Sequence, residues 1–298
     1  MYDIALSVSA CVRSNTRVDI AWMISSPASN EALALTPGSG RIGTLSAGAF
    51  DGSLADIASR KLPLGRHVKQ TIGAFESSQT GMPQGSQVEF LVVPADQFPT
   101  WTWTALLERQ ALAIVCTLDN IDVTKVEVFN QESITSASPD VAELFTQGVS
   151  TSRIEDSRII TVIHPVTKCV IAGGGPIADA IADVADLLGW KSVKETRGDI
   201  VAGLIAGLSY IDVVVIMGHD VEASSRNLAS ALDSDAGYIG ALGSRKMQED
   251  RSDWLAYREI TDLSRVHGPA GLDISAQTPH EIAISIVAQA IGVLKNGT

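Results

Sequence analysis

A glycine cluster at residues 173–178 has the composition and spacing of a phosphate-binding turn. A short apolar run, Cys169-Val170-Ile171-Ala172, leads into Gly173-Gly174-Gly175-Pro176-Ile177-Ala178. Gly173, Gly175 and Ala178 fit the pattern G-x-G-x-x-A. Its small residues allow a tight turn, a close approach of the backbone to a pyrophosphate, and close packing of helix on strand. Because the amides and dipole at a helix start attract anions, this turn predicts a phosphate-bearing cofactor.

An acidic residue follows this turn at the distance of a ribose-binding group. Glu195 ends the strand-like run Ser192-Val193-Lys194-Glu195, about 20 residues after the glycines, where dinucleotide sites carry an acid. Thr196 and Arg197 come next and are expected to lie against the same cofactor. Glu195 suits a free 2′-hydroxyl, whereas Lys194 and Arg197 suit a 2′-phosphate. The sequence therefore does not distinguish NAD from NADP as the bound dinucleotide.

Two residues of the turn act against a bound phosphate. Pro176 has no amide hydrogen to donate. Asp179 places a negative charge at the helix start, which suits the helix dipole but repels an anion. An ordinary strand-to-helix turn is therefore the alternative to a phosphate site.

Two further turns are predicted to lie beside the glycine turn. The apolar strand expected at residues 212–217 ends in Gly218-His219-Asp220, and the next, at 237–242, ends in Gly243-Ser244-Arg245. Residues just beyond the carboxyl ends of parallel strands line the crevice where such sheets bind ligands. His219 and Asp220 are therefore candidates for contact with a ligand, and His219 for general acid-base catalysis. Ser244 and Arg245 could hold an anion, and Ser244 could also act simply as a helix N-cap.

The last motif of the chain begins a helix. Thr278-Pro279-His280-Glu281 is a capping box with proline at the first helical position. An amphipathic helix is expected to follow over residues 282–294. We interpret His280 and Glu281 as helix-start residues and not as catalysts.

The elements that must position these turns alternate between strand and helix. From residue 167 onward the order is β-α-β-α, which predicts a Rossmann-like parallel sheet with right-handed crossovers and helices on both faces. A smaller, strand-rich α+β segment precedes it, and Pro165 marks the predicted boundary. The fold class is therefore α/β, with domains at residues 1–164 and 165–298.

Apolar patterns predict the elements of the N-terminal segment. Strands are expected at residues 4–12, 18–24, 88–93, 111–118 and 158–164. Helices are expected from about residue 53, over 104–110 and over 139–145. Turns are expected across residues 37–52 and most of 120–157.

Composition narrows the expected partners and compartment. The 298 residues are 45% hydrophobic and carry a formal charge of −12. An acidic surplus argues against a nucleic-acid or anionic-membrane partner, since both require a basic face. No apolar run reaches the ~18 residues of a membrane span, and no basic stretch precedes an apolar core at the N-terminus. A cytoplasmic protein is therefore expected.

The three cysteines are isolated from one another. Cys11, Cys116 and Cys169 lie in apolar stretches predicted as strands. There is no C-x-x-C pair and no Cys/His cluster, so neither a metal site nor a disulfide framework is expected. We expect reduced core residues.

Four motifs occur in order along the C-terminal half, namely GGGPIA, GHD, YIGALGSRK and HGPAGLDISAQTPHEIA. This series resembles the C-terminal domain of the XdhC/CoxI family. The resemblance implies a small N-terminal domain, a Rossmann-like C-terminal domain and a homodimer. It also implies an accessory protein that binds the molybdenum cofactor (molybdopterin) and helps to mature enzymes of the xanthine dehydrogenase and carbon monoxide dehydrogenase types.

The N-terminal half is similar to the family but lacks its cysteines. Ala47-Gly48-Ala49-Phe50-Asp51-Gly52 stands where the family has G-G-C-V-E-G, so Ala49 replaces a cysteine. Gln84 replaces another, in the family's C-G-G pattern, and Ser25-Ser26-Pro27 matches its serine-proline loop poorly. Since a thiolate is the natural soft ligand for molybdenum and the carrier of sulfur, these changes bear directly on cofactor delivery.

Three functions follow from the sequence. The first is a molybdenum-cofactor chaperone for a molybdenum hydroxylase client. The second is an NAD(P)-dependent oxidoreductase on the same scaffold, in which a loop at residues 43–51 closes over a small substrate. The third is an interaction protein whose cofactor site has decayed, which Pro176 and Asp179 would allow.

Overall fold

The computed structural model describes residues 1–25, 30–36, 38 and 40–296. The chain divides into two compact units, Met1–Pro165 and Val166–Thr298. Ser26, Pro27 and Pro37, on which part of the predicted loops falls, lie outside the described residues.

The N-terminal unit is built on one antiparallel sheet of nine strands in the order β3-β2-β1-β5-β4-β7-β6-β9-β8. Its strands are β1 (Asp19–Met23), β2 (Leu33–Thr36), β3 (Gly40–Gly43), β4 (Arg66–Thr71), β5 (Gln87–Pro94), β6 (Leu112–Asp119), β7 (Asp122–Phe129), β8 (Thr151–Ile154) and β9 (Arg158–Ile163). Its α-helices are α1 (Ala5–Arg13), α2 (Asp51–Ala58), α3 (Ala74–Thr80), α4 (Trp101–Leu107) and α5 (Pro139–Thr146).

The nine-stranded sheet curls around its main core. Trp22 on β1 donates a hydrogen bond from Nε1 to Oγ1 of Thr161 on β9, at 3.2 Å, although four strands separate β1 from β9 in the sheet. The concave side encloses a cluster that includes Trp22, Phe98 and Trp103 together with α1 and α4. An edge contact between Trp22 and Phe98, with centroids 6.1 Å apart, and a tilted contact between Phe98 and Trp103, at 5.3 Å, lie within that core.

The strand predicted over residues 4–12 is wrong, because this segment is helix α1 preceded by a 3-10 turn at Tyr2–Ile4. Ile4, Ala5 and Val8 are fully buried and Cys11 packs beside them. Positions i, i+1, i+4 and i+7 form one stripe of a helix. The apolar residues of this segment fit both the helical period and the alternation of a strand. The segment is a helix because its apolar stripe packs against the concave face of the sheet.

Two of the predicted turn regions contain strands. Residues 37–52 include β3, which pairs with β2, and residues 120–157 include β7 and β8. Strand β7 carries several exposed polar side chains, which are typical of a turn region. It is a strand because it pairs with β6. Strand β4 and helix α3 were also not predicted, and helix α4 begins three residues before the expected 104.

The remaining N-terminal predictions are confirmed. The strands expected at 18–24, 88–93, 111–118 and 158–164 correspond to β1, β5, β6 and β9. The helix expected at 139–145 is α5, with proline at its first turn, and the helix expected from residue 53 is α2, which begins at Asp51.

The C-terminal unit is a five-stranded parallel sheet in the order β11-β10-β12-β13-β14. Its strands are β10 (Lys168–Ala172), β11 (Lys191–Glu195), β12 (Val213–Ile216), β13 (Tyr238–Ala241) and β14 (Val266–His267). Its helices are α6 (Pro176–Leu187), α7 (Gly198–Ala206), α8 (Val221–Leu232), α9 (Arg245–Ala256) and α10 (Pro279–Asn296). The predicted α/β class and the Rossmann-like parallel sheet are confirmed.

The helices cover both faces of this sheet. Helices α6 and α10 pack over one face against Ile171 and Val215, and α7, α8 and α9 pack over the other against Val170 and Val214. The chain leaves β10 toward one edge of the sheet and leaves β12 toward the other. The sheet therefore has its topological switch point between the carboxyl ends of β10 and β12, which is where such sheets bind ligands.

Among the described residues, no helix combines the length and the apolar character that crossing a membrane requires.

Candidate functional site

The site is built from three glycines at equivalent places on neighbouring strands. Gly173, Gly218 and Gly243 come one or two residues after β10, β12 and β13, with φ values of 151°, 127° and 136°. Residues with a side chain rarely adopt this conformation. Because the parallel register pairs Ala172 with Ile216 and Ile216 with Ala241, the three turns leave the sheet side by side at one edge.

The first turn is tied to both neighbouring strands. The amide of Gly173 donates to the carbonyl of Glu195 at 2.9 Å, and the amide of Met217 donates to the carbonyl of Ala172 at 3.0 Å. A Cβ on Gly173 would lie 2.7 Å from Cβ of Met217, so a larger residue does not fit there. Gly174 is less crowded, since its Cβ would meet only Cγ2 of Thr196, at 3.6 Å.

The helix start after this turn is open to a ligand. Gly175 caps α6 with φ 97°, and a Cβ built there would meet nothing within 4 Å. Pro176 is the first helical residue, Ile177 follows it, and Ala178 is fully buried against the sheet. Gly173 thus forms the tight turn, Ala178 allows close packing of the helix, and Gly175 leaves the helix start open, where phosphate binding stays a prediction.

The acid at the start of α6 is neutralised by a lysine. Asp179 accepts a 2.6 Å hydrogen bond from Nζ of Lys194 on β11, and this pairing raises the pKa of Lys194. Both side chains are largely exposed. The negative charge that acts against an anionic ligand in the sequence is thereby offset, and Lys194 is engaged with a carboxylate.

Glu195 at the end of β11 is held by its own neighbours. Its Oε1 accepts from the amides of Thr196 and Arg197 at 2.8 and 2.9 Å, and its Oε2 accepts from Nη2 of Arg197 at 2.8 Å. The side-chain bond from Arg197, followed by the two amide bonds, lowers the pKa of Glu195 to about 2. The carboxylate is fixed beside the glycine turn, and a ribose hydroxyl would compete with Arg197 for it.

The second turn places its two polar residues differently. His219 is exposed and makes no hydrogen bond with any described residue. Asp220 is the N-cap of α8, since its Oδ1 accepts from the amide of Ala223 at 3.0 Å. His219 is therefore accessible to a ligand, whereas the carboxylate of Asp220 is directed to its own helix.

The third turn combines the two predicted roles of its serine and arginine. Ser244 caps α9, with its hydroxyl accepting from the amide of Met247 at 3.3 Å. Arg245 is the first residue of α9 and its side chain is exposed. The N-cap interpretation of Ser244 is confirmed, and Arg245 beside it is a surface cation that pairs with no carboxylate of the described residues.

A buried arginine that the sequence analysis did not single out holds the second and third turns together. Arg251 on α9 is 1% exposed. Its Nη2 donates to the carbonyl of Gly218 at 3.1 Å, its Nη1 to the carbonyl of Leu242 at 2.8 Å, and its Nε to Oγ of Ser224 at 2.9 Å. Burial lowers the pKa of this guanidinium, which pairs with no carboxylate in the described part of the chain. Sequence offers one signal for it, an arginine six residues into a helix that begins at a predicted anion turn.

The N-terminal positions where the family has cysteines have no thiol. Ala49 packs against the core beneath α2, and Gln84 is exposed. Cys116 and Cys169 are buried in β6 and β10, and burial raises the pKa of each thiol to about 12. The strand assignment of Cys11 is wrong, since it lies half-buried on helix α1.

Within the described ranges, no group of three or more His, Cys, Asp or Glu side chains is arranged to hold a metal ion.

Comparison with known proteins finds a family model similar to the segment that carries these turns. Residues 169–290 match the family model of the XdhC Rossmann domain. One similar solved structure, described as a xanthine dehydrogenase from Bacillus halodurans, is 22% identical in sequence with a TM-score of 0.47. That alignment covers 100% of this chain and 97% of the other. A comparison with curated protein sequences gives no match.

Proposed function

We propose, from the match of residues 169–290 to the XdhC Rossmann domain model, that the protein is an accessory factor that holds a phosphate-bearing cofactor at the switch point of that domain. The observation that carries the proposal is the side-by-side exit of three glycine turns at one edge of the sheet, two of which are bonded to one buried guanidinium. Backbone amides, three helix starts and a cation then face one place, which suits an anion.

The first candidate for this cofactor is molybdopterin. Its phosphate would bind at the open helix start at Gly175, and Arg245 would supply a positive charge to the same crevice. The molybdenum atom of the cofactor would need other ligands, because the thiols of Cys116 and Cys169 are buried and protonated at neutral pH. A soft thiolate ligand for molybdenum is therefore not available from those two residues. We propose that the chain holds the cofactor by its phosphate and pterin and does not bind the metal through these cysteines.

A titration with molybdopterin tests this proposal. We expect native mass spectrometry to detect a complex with the wild-type protein and at least tenfold weaker binding by Gly175→Asp, because an anionic side chain would then occupy the phosphate position. Gly203→Asp is the matched control, since it adds the same charge on the exposed face of α7. No uptake of molybdopterin by the wild-type protein would contradict the proposal. Equal binding by Gly175→Asp would place the cofactor elsewhere.

A dinucleotide is the second candidate, with the protein then acting as an NAD(P)-dependent oxidoreductase. The favouring observation is that the end of β11 is hydrogen-bonded to Gly173, which brings Glu195 beside the phosphate turn as in dinucleotide sites. His219, exposed on the next turn, would serve as the acid-base group. Enhanced NADH or NADPH fluorescence on mixing would favour this function, and a flat titration at millimolar dinucleotide would remove it.

A molybdenum hydroxylase client and a homodimer complete the proposal. A client of that class would receive the cofactor by direct contact, so the proposal expects a physical complex between the two proteins. The same native mass spectra give the number of subunits.

A further inference from the structure

Side chains of α9 bind several backbone carbonyls at the second and third turns. Arg251 binds the carbonyls of Gly218 and Leu242. One turn earlier on α9, Gln248 donates from Nε2 to the carbonyls of Ala241 and Gly243 at 3.1 and 3.3 Å. Its Oε1 in turn accepts from Nη1 of Arg251 at 3.3 Å. Two side chains of one helix thus hold four backbone carbonyls from two separate turns.

This arrangement fixes the direction of the amides that follow. In a trans peptide, the N–H of a residue is antiparallel to the carbonyl of the residue before it. Since the carbonyls of Gly218, Leu242 and Gly243 point toward α9, the amides of His219, Gly243 and Ser244 point away from it, at the exposed mouth of the crevice. None of these three amides has an acceptor among the residues described.

Resting on the cofactor site proposed above, we infer that Arg251 and Gln248 are positioning residues that aim the amides of His219, Gly243 and Ser244 at a second anionic group of the ligand. The first anionic group lies at the Gly174–Gly175 turn after β10, one strand from the turn of His219 and two strands from the turn of Gly243 and Ser244. Strands lie about 4.8 Å apart, so the amides of the second subsite lie about 5–10 Å from the first. The ligand class is therefore a molecule with two anionic groups or with an extended pyrophosphate.

Both the geometry and the charge of Arg251 suit its role in positioning the two turns. An isolated buried cation is costly unless something compensates its charge. Here the compensation comes from carbonyl and hydroxyl dipoles, and the carboxylate of Asp220 is bonded to the first turn of α8. A bound anion above the amides would therefore complete the electrostatics of the turn. The planar fork of arginine can hold two carbonyls at once, which the single ammonium of lysine cannot reproduce.

The test is a backbone amide NMR titration with inorganic pyrophosphate on the full chain. In the wild type we expect the amide signals of Gly174, Gly175, His219, Gly243 and Ser244 to shift. In Arg251→Lys, which keeps the charge but loses the fork, we expect the responses of His219 and Gly243 to be lost and the affinity to fall about tenfold. The responses of Gly174 and Gly175 should persist, whereas a merely structural role would not separate the two subsites.

Two further variants complete the experiment. Gln248→Ala frees the carbonyl of Gly243 but retains Arg251, so it should remove the response of Ser244 alone. If Arg251→Lys does not fold, Gln248→Ala still tests whether the side chains of α9 position these amides. Arg258→Lys, an exposed arginine stacked on Trp254 near the end of the same helix, is the matched control and should behave as wild type.

The outcomes separate this inference from the function on which it rests. Wild-type responses confined to Gly174 and Gly175, or Arg251→Lys responses equal to wild type, would overturn the positioning role and leave the cofactor site standing. No response at any of the five amides, with pyrophosphate or with molybdopterin, would remove the cofactor site itself.

Discussion

At the scale of single residues, the carboxylate of Glu195 stays ionised because donors from its own loop surround it. Two backbone amides and the guanidinium of Arg197 bind its two oxygens. An ionised carboxylate accepts about four hydrogen bonds, and the two residues that follow Glu195 already supply four. A cofactor hydroxyl reaches it only if Arg197 moves aside, and Arg197 is exposed enough to do so.

This network gives a titration that can be measured. The pKa of Glu195 falls from 4.5 to about 2 in the folded protein. A lowered pKa contributes stability that is fully present above the unfolded value, and that is lost as the pH falls from about 4.5 through about 2. In Arg197→Gln we expect the midpoint of Glu195 to move upward toward 4.5, as followed by carboxyl ¹³C NMR.

The control for this titration is Arg226→Gln, which breaks the exposed pair with Glu222 on α8. It should leave the midpoint of Glu195 unchanged. A midpoint near 4.5 in the wild-type protein would contradict the hydrogen bonds described around this carboxylate.

At the scale of elements, the strand-turn-helix unit around β10 depends on one glycine more than on the other two of its turn. Gly173 has a φ of 151°, and a Cβ built on it would lie only 2.7 Å from Cβ of Met217. Gly175 has a left-handed φ but open space around it. Gly173 therefore allows the ends of β10 and β12 to pack closely, and Gly175 leaves the helix start accessible to a ligand.

Replacement of Gly173 by alanine tests this difference. We expect Gly173→Ala to lower the free energy of unfolding by about 2–4 kcal/mol, because backbone strain and overpacking add. Gly203→Ala is the control, since Gly203 lies within α7 with open space around it, and it should raise that free energy by about 0.5–1 kcal/mol. Urea unfolding measures both. A Gly173→Ala protein as stable as wild type would show that Met217 and the turn can shift at no cost.

At the scale of the whole molecule, each compact unit has its own hydrophobic core. The C-terminal unit buries two clusters, one on each face of its parallel sheet. Its helix starts are capped locally, by Ser244 on α9 and by Thr278 and Glu281 on α10. All the residues assigned here to the cofactor site lie in this unit.

The segment Val166–Thr298 is therefore expected to fold by itself. Circular dichroism of that segment should show helical signal and a cooperative thermal transition, because both faces of its sheet are covered by its own helices. The matched control is the segment carrying Gly173→Ala, which should melt at a lower temperature. A segment without a cooperative transition would show that its core depends on the rest of the chain.

The sequence by itself was sufficient for the features that depend on neighbouring residues. The glycine turn at 173–178, the capping box at Thr278–Glu281 and the alternation of strand and helix after residue 167 all appear in the structure. Turn conformations and helix caps are set within a few residues, so the residue types that they require can be recognised along the chain.

Tertiary structure decided what depends on distant partners. Residues 4–12 are a helix because the concave face of a curled sheet accommodates one, and β7 is a strand because β6 pairs with it. Arg251 binds a carbonyl 33 positions earlier in the chain, and its place on the helix after a predicted anion turn does not reveal that partner. The amides aimed at the crevice mouth follow from that buried arginine, because tertiary packing determines the donor for these turn carbonyls.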